Sequence, residues 1–214
     1  FMRRGSIKLL PDLLVAENND SRDSFGQFGF DDYYGEGSRW IRRVVLTAEG
    51  ALVVADEYVG GKALGDQYRA GPLWHVAVVG EEKPAEAGKP QKGPGNWFDA
   101  PAFDHAWWSK SKSRLLVFFH EDGKSEFGSL PQKHSQDTQA NRLVFASRAI
   151  AGGRTEHFLS VLVPHPAGVP AERVAGGIAC KVSDAGVFFA DIGGVEVEIK
   201  GSKWSVQRPR GKGK

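Results

Sequence analysis

The stretch HAWWSKSKSR, His105 to Arg114, sets two indoles beside three cations, Lys110, Lys112 and Arg114. Indole faces stack on the C–H faces of sugar rings, and ammonium and guanidinium groups attract carboxylates and sulfates. Trp107, Trp108, Lys110 and Lys112 are therefore candidate contacts to an anionic glycan. The competing reading is one core Trp on an exposed strand with a basic rim. Trp74-His75 forms a second candidate. In an extended strand neighbouring side chains point to opposite faces, so a Trp74 that packs inside leaves His75 on an outer or cleft face.

Metal and acid–base chemistry find less support. The six histidines are His75, His105, His120, His134, His157 and His165, and no two have the i, i+2 or i, i+4 spacing of a compact metal site. Asp104-His105 and His120-Glu121-Asp122 are adjacent pairs that would have to converge to hold a zinc or calcium ion. Asp56-Glu57 would make a carboxylate pair, but in a strand the two point apart, and pairing with Arg42 or Arg43 across a hairpin is the simpler expectation. No GxSxG elbow and no Gly-rich phosphate loop opening a helix is present. The single Cys180 excludes an internal disulfide and, inside GGIACKVS, is expected to be a buried, inert thiol.

The elements that must position these groups are short strands. RWIRRVVLT (Arg39 to Thr47) and ALVVADEYV (Ala51 to Val59) flank a Gly-containing turn and predict a hairpin, with Trp40 and the alternating Val and Leu residues in the core. LLVAE, LWHVAVV, AWWSKS, SRLLVFFHEDG, RLVFASRAI, EHFLSVLVPH, IACKVS, GVFFADI, GVEVEIKG and KWSVQR are further strand candidates. In GVEVEIKG, Val195, Val197 and Ile199 share one face while Glu196, Glu198 and Lys200 share the other, the mark of a strand with one wet side. Ser21 to Gly37, rich in Phe, Tyr, Asp and Gly, is expected as a loop that either covers the open end of the sandwich or presents rings to a ligand. Pro84 to Gly95 is expected as an exposed loop, and PAERVAGG as one helical turn. Strands at roughly 8–12-residue spacing without intervening helices predict an all-β, antiparallel, multi-stranded sandwich.

A chain of 214 residues with 41% hydrophobic and 25% charged residues is large enough for one good core. The net charge of +2 gives no argument for a nucleic-acid partner. No run approaches the roughly 18 apolar residues of a membrane span. Residues 1–207 are expected as a single sandwich domain and Arg208 to Lys214, RPRGKGK, as a solvated basic tail. There is no signal peptide, and the start Phe1-Met2 suggests that the N-terminal part of a longer protein is missing.

In order along the chain, DDYYGEGSRWIRRVVLTAEGALVVADEYVGG, GPLWHVAV, FLSVLVPHPAG and GVEVEIKGSKWSVQR together resemble the sheet domain of heparinase II/III-like polysaccharide lyases. The resemblance implies the later part of a β-sandwich that in those enzymes follows an α/α toroid. It implies a parent enzyme that degrades uronic-acid polysaccharides, glycosaminoglycan or alginate, by β-elimination, in the periplasm or outside the cell. A base removes the C5 proton, and a Tyr or His protonates the leaving oxygen. The family's His-x-His-x-Asp strand, which supplies a catalytic His and a metal-ligand His, is absent here, so no catalytic residue carries over. A zinc or calcium ion would belong to the parent, none to this chain, and the chain alone is expected to be inactive. The resemblance thus makes the partners an anionic polysaccharide and the missing toroid, with no nucleic acid. The alternative is a noncatalytic carbohydrate-binding or structural sandwich.

Overall fold

A computed structural model of the chain describes residues 12–31, 37–62, 68–78, 95–101, 113–120, 122–133 and 140–209. In chain order its elements are β1 (Asp12–Asn18), β2 (Ser24–Asp31), β3 (Arg39–Leu46), β4 (Leu52–Val59), β5 (Arg69–Ala70), β6 (Leu73–Val78), β7 (Gly95–Pro101), β8 (Ser113–His120), β9 (Glu126–Lys133), β10 (Ala140–Ala149) and β11 (Thr155–Pro166). A single helical turn, α1 (Ala171–Ala175), leads to β12 (Ile178–Val182), β13 (Val187–Ile192), β14 (Val195–Lys200) and β15 (Lys203–Gln207). All pairings are antiparallel.

The strands form three sheets. A central seven-stranded sheet runs β1-β2-β3-β4-β11-β8-β7; a second sheet pairs β10 with β9 on one side and with β6 and β5 on the other; a third runs β12-β13-β14-β15. The central sheet is covered on both faces, and its sequence says why. Leu115 to Phe119 and Leu52 to Ala55 are continuous apolar runs, so either face offers surface to bury. Leu116, Phe118, Leu159, Val161, Val53 and Val45 turn to the third sheet and meet Ile178, Phe188, Ala190, Val197 and Ile199. Val54, Val117, Phe119 and Leu162 turn the other way and meet Val76, Val144 and Ala146 of the second sheet. Each fully buried Phe or Leu contributes about 1.5–3 kcal/mol. In β14, by contrast, Val197 and Ile199 are buried while Glu196, Glu198 and Lys200 are exposed, as their alternation predicts.

The β3–β4 hairpin forms in the expected register, Arg39 opposite Val59 through Leu46 opposite Leu52. Gly50 closes its turn at φ +88, where an L side chain is strained. The turn is held by Thr47 N donating to Ala51 O at 2.9 Å and Gly50 N donating to Thr47 O at 2.9 Å.

Two expectations need correction, and three strands went unread. Ser21 to Gly37 is not all loop: residues 24–31 are β2, a strand inside the central sheet with Phe25 buried. Its glycines masked the alternation. Three further strands, β5, β7 and β9, carry too little apolar patterning to be picked out. Arg208, expected at the head of a solvated tail, is tied down: its guanidinium bonds Asp23 at 2.5 and 3.1 Å and Glu49 at 2.7 and 3.2 Å. Residues 210–214 lie outside the described residues, as do AWWSKS and all of Pro84 to Gly95 except Gly95 itself, the first residue of β7.

Candidate functional site

Two rows of side chains on β3 and β4 give the central sheet its polar chemistry. On the face toward the second sheet stand Trp40 and Arg42 of β3 and, directly opposite Arg42, Asp56 of β4. Asp56 is fully buried. It accepts Arg42 Nε at 2.8 Å, Arg42 Nη2 at 2.9 Å and Trp40 Nε1 at 2.9 Å. The guanidinium carbon lies 5.6 Å from the Trp40 ring centroid and 4.9 Å from that of Trp74, so Arg42 sits between two indoles. Burial works to lower the Arg42 pKa, but the Asp56 hydrogen bonds and charge outweigh it and raise the value, which keeps the cation fixed.

On the opposite face Gln27, Arg43, Glu57 and His157 form a row across β2, β3, β4 and β11. Arg43 donates to Gln27 Oε1 and to Glu57 Oε2, each at 3.2 Å, and His157 is the register partner of Glu57. The His157 ring meets Phe188 edge-on at 5.6 Å. Burial lowers its pKa, assisted by Arg148 and Arg43 and opposed by Glu57 and Glu156. Asp56 and Glu57 thus serve opposite faces, as their adjacency in a strand requires, and each pairs with an arginine of the neighbouring strand.

A cleft of about 530 Å³ opens between the Trp40–Arg42 end of the central sheet and the β5–β6 side of the second sheet. Phe30, Trp40 and Arg42 line it from the one side, Arg69, Leu73 and Phe145 from the other. Arg69 pairs with Glu126 at 2.9 Å, and the two side chains are 41% and 74% exposed. It also donates to Ser147 O at 3.1 Å. Among the described residues the lining combines apolar rings with two guanidinium groups and the Ser147 hydroxyl, and includes no His, Cys, Asp or Glu, a composition suited to binding.

Of the sequence candidates, Trp74 is half-buried against the second-sheet core and contacts this arrangement through Arg42; its indole nitrogen is buried and takes no partner among the described residues. His75 pairs with Leu143 in the β6–β10 ladder, and its side chain lies outside the described set. Trp107, Trp108, Lys110 and Lys112 lie outside the described residues, as do Asp104-His105 and Glu121. Asp122 is occupied structurally: it accepts the amides of Lys124 and Ser125, both at 2.8 Å, and pairs with Arg148. Burial alone would raise its pKa, but these donors hold it below the usual carboxylate value. Sequence reading did not single out Phe30, Arg69 and Phe145 as cleft residues. Their approach depends on how two sheets stack, and only the ring-rich character of Ser21 to Gly37 hinted at Phe30.

The sequence lacks a His-x-His-x-Asp strand, and no group of three or more His, Cys, Asp or Glu among the described residues is placed to hold a cation. These residues therefore do not fit the metal that the resemblance implies for the parent.

No protein-family model matches the chain, and no curated relative matches it. Solved structures do. A heparan sulfate lyase from Pedobacter heparinus superposes over 92% of this chain and 28% of its own length with a TM-score of 0.61 at 12% identity. A heparinase III superposes over 92% and 27% with a TM-score of 0.55 at 12% identity, and a second heparinase III over 88% and 27% with 0.57 at 10%. At such identities the likeness establishes the fold, and the chain spans just over a quarter of the length of these enzymes.

Proposed function

We propose that the chain is the sheet-domain portion of a polysaccharide lyase that degrades uronic-acid polysaccharides by β-elimination. It forms one wall of the substrate cleft; the groups that move protons belong to a preceding helical domain and an earlier sheet strand of the parent. The observation that carries this reading is the superposition of 92% of the chain on 28% of a heparan sulfate lyase with a TM-score of 0.61.

The chemistry fits a supporting part. Removing the C5 proton of a uronate builds charge on the neighbouring carboxylate, which has to be met by fixed cations or donors. The proton then returns to the leaving oxygen from a placed acid. This chain supplies one arginine fixed by a buried carboxylate, Arg42, and one exposed arginine, Arg69, in a ring-lined cleft, with no His at that cleft among the described side chains.

The test compares the 214-residue chain with the complete natural protein. Each is incubated with heparan sulfate, heparin and alginate, and the ultraviolet absorbance of the conjugated, unsaturated uronate product is followed. The complete protein is expected to produce it on at least one polymer, and the chain alone on none. A complete protein that binds polyuronate yet never yields unsaturated product would make this a noncatalytic carbohydrate-binding sandwich. Sustained product from the purified chain would place the catalytic groups within it. If the reading holds, the natural protein works in the periplasm or outside the cell. Among the described residues no helix is long and apolar enough to cross a membrane.

A further inference from the structure

We propose that the cleft between β3 and the β5–β6 segment is an acidic-sugar subsite whose specificity is set by Arg42 and Arg69, with the ring of the sugar held by the apolar lining. This rests on the polysaccharide reading above and adds to it the residues that choose the ligand.

Arg42 is held ready for this use. Two of its nitrogens are committed to a fully buried Asp56, and two indoles flank the guanidinium. Nη1 donates to no described residue, and the Arg42 side chain lines the cleft. A group locked this way loses little conformational entropy when a ligand arrives, so more of the contact energy is available for binding. The Arg42 side chain keeps 26% exposure while Asp56 keeps none, so a ligand in the cleft meets the cationic end of the pair first.

Arg69 supplies the second, adjustable cation. Its partner Glu126 is 74% exposed, and an exposed pair of this kind is weak and readily exchanged. An incoming carboxylate or sulfate can take the place of the Glu126 carboxylate and form the stronger paired contact that guanidinium geometry favours. Leu73 and Phe145, with Phe30 and Trp40 on the facing side, give the cleft an apolar lining against which a sugar ring can pack. The volume of about 530 Å³ lies in the range of small-ligand sites.

The experiment titrates the full 214-residue chain by calorimetry and NMR with three oligosaccharides of equal length: one carrying uronate but no sulfate, one carrying sulfate but no uronate, and one neutral. At least one acidic probe is expected to bind and the neutral one not, and the acidic probe that binds names the anionic group recognised. Arg69→Gln is expected to weaken that binding about tenfold, the size of one lost charge-assisted contact. Glu126→Gln is expected to tighten it, because it releases Arg69 from its competitor; a merely structural role for either residue gives no such opposition. Binding of the neutral probe as tight as the acidic ones, failure of both acidic probes, or equal affinities in the two variants overturns the subsite. If the subsite fails while the complete protein still produces unsaturated uronate, the lyase reading stands alone. If the variants respond as expected and the complete protein eliminates nothing, the subsite stands and the lyase reading falls.

Discussion

Arg42 and Asp56 face each other directly across the β3–β4 ladder, and one guanidinium holds both carboxylate oxygens, at 2.8 and 2.9 Å. The two partners differ in their surroundings: Asp56 has no exposure, whereas the Arg42 side chain retains 26%. Removing either one therefore leaves a different problem behind.

Arg42→Ala strands a buried carboxylate with the Trp40 indole as its remaining side-chain donor, which should cost about 3–5 kcal/mol. Asp56→Ala leaves an arginine that water can still reach, and should cost about 1–3 kcal/mol. Denaturant unfolding of the two variants reads the difference. An Asp56→Ala protein as stable as the natural one would remove the structural role assigned to this carboxylate.

The His157 ring has its pKa lowered in the fold, chiefly by burial, from an unfolded value of 6.5. The unfolded chain therefore binds the proton more readily. The stability associated with this group is complete above pH 6.5 and declines as the pH falls from there toward the folded pKa. A melting temperature followed downward from roughly pH 7.5 should fall through this window, and His157→Gln should flatten that part of the curve. A second decline belongs to Asp23, Glu49 and Asp122. Their pKa values are lowered, and their stabilisation is present above the unfolded values of 3.8 to 4.5 and lost as the pH drops through the folded ones. An unchanged profile in the His157 variant would count against this assignment of the upper window.

Gly186 stands at φ +69, and a methyl added there would lie 2.8 Å from His157 Nε2. Gly50 is also left-handed, at φ +88, but a methyl there meets nothing within 4 Å. Gly50→Ala should cost the left-handed penalty alone, about 1–2 kcal/mol. Gly186→Ala should cost more, and its excess should shrink in a His157→Ala background, because only that variant removes the clash. Equal costs at the two glycines would show that the β12–β13 turn shifts freely.

Arg208 bonds a buried Asp23 and the neighbouring Glu49. The guanidinium hydrogen bonds are the largest influence lowering both carboxyl pKa values. Compared with a chain ending after Pro209, one ending after Gln207 should have a lower melting temperature and unfold in acid at a higher pH. Two truncations with the same melting temperature would mean that Arg208 contributes nothing.

Much of the architecture was legible in the residues themselves. Apolar runs in β4 and β8 require burial on both faces, alternation in β14 requires one wet face, and Gly50 permits the turn that sets the β3–β4 register. Adjacency in a strand was enough to send Asp56 and Glu57 to opposite sides. The resemblance to polysaccharide lyases likewise came from ordered segments and agrees with the fold. Other features were not local. The glycines of β2 left too weak a pattern to distinguish strand from loop, and its place is decided by pairing with β3. Arg208 looks like any basic tail residue until the chain brings it to Asp23, 185 positions away. The cleft depends on the stacking of two sheets: Phe30, Arg42, Arg69 and Phe145 are distant in sequence, and no spacing rule relates them. Local propensity and periodicity determined the strongly patterned strands and their buried faces; the weakly patterned β2, β5, β7 and β9, the juxtaposition of distant side chains, and with it the candidate site, were decided by long-range packing.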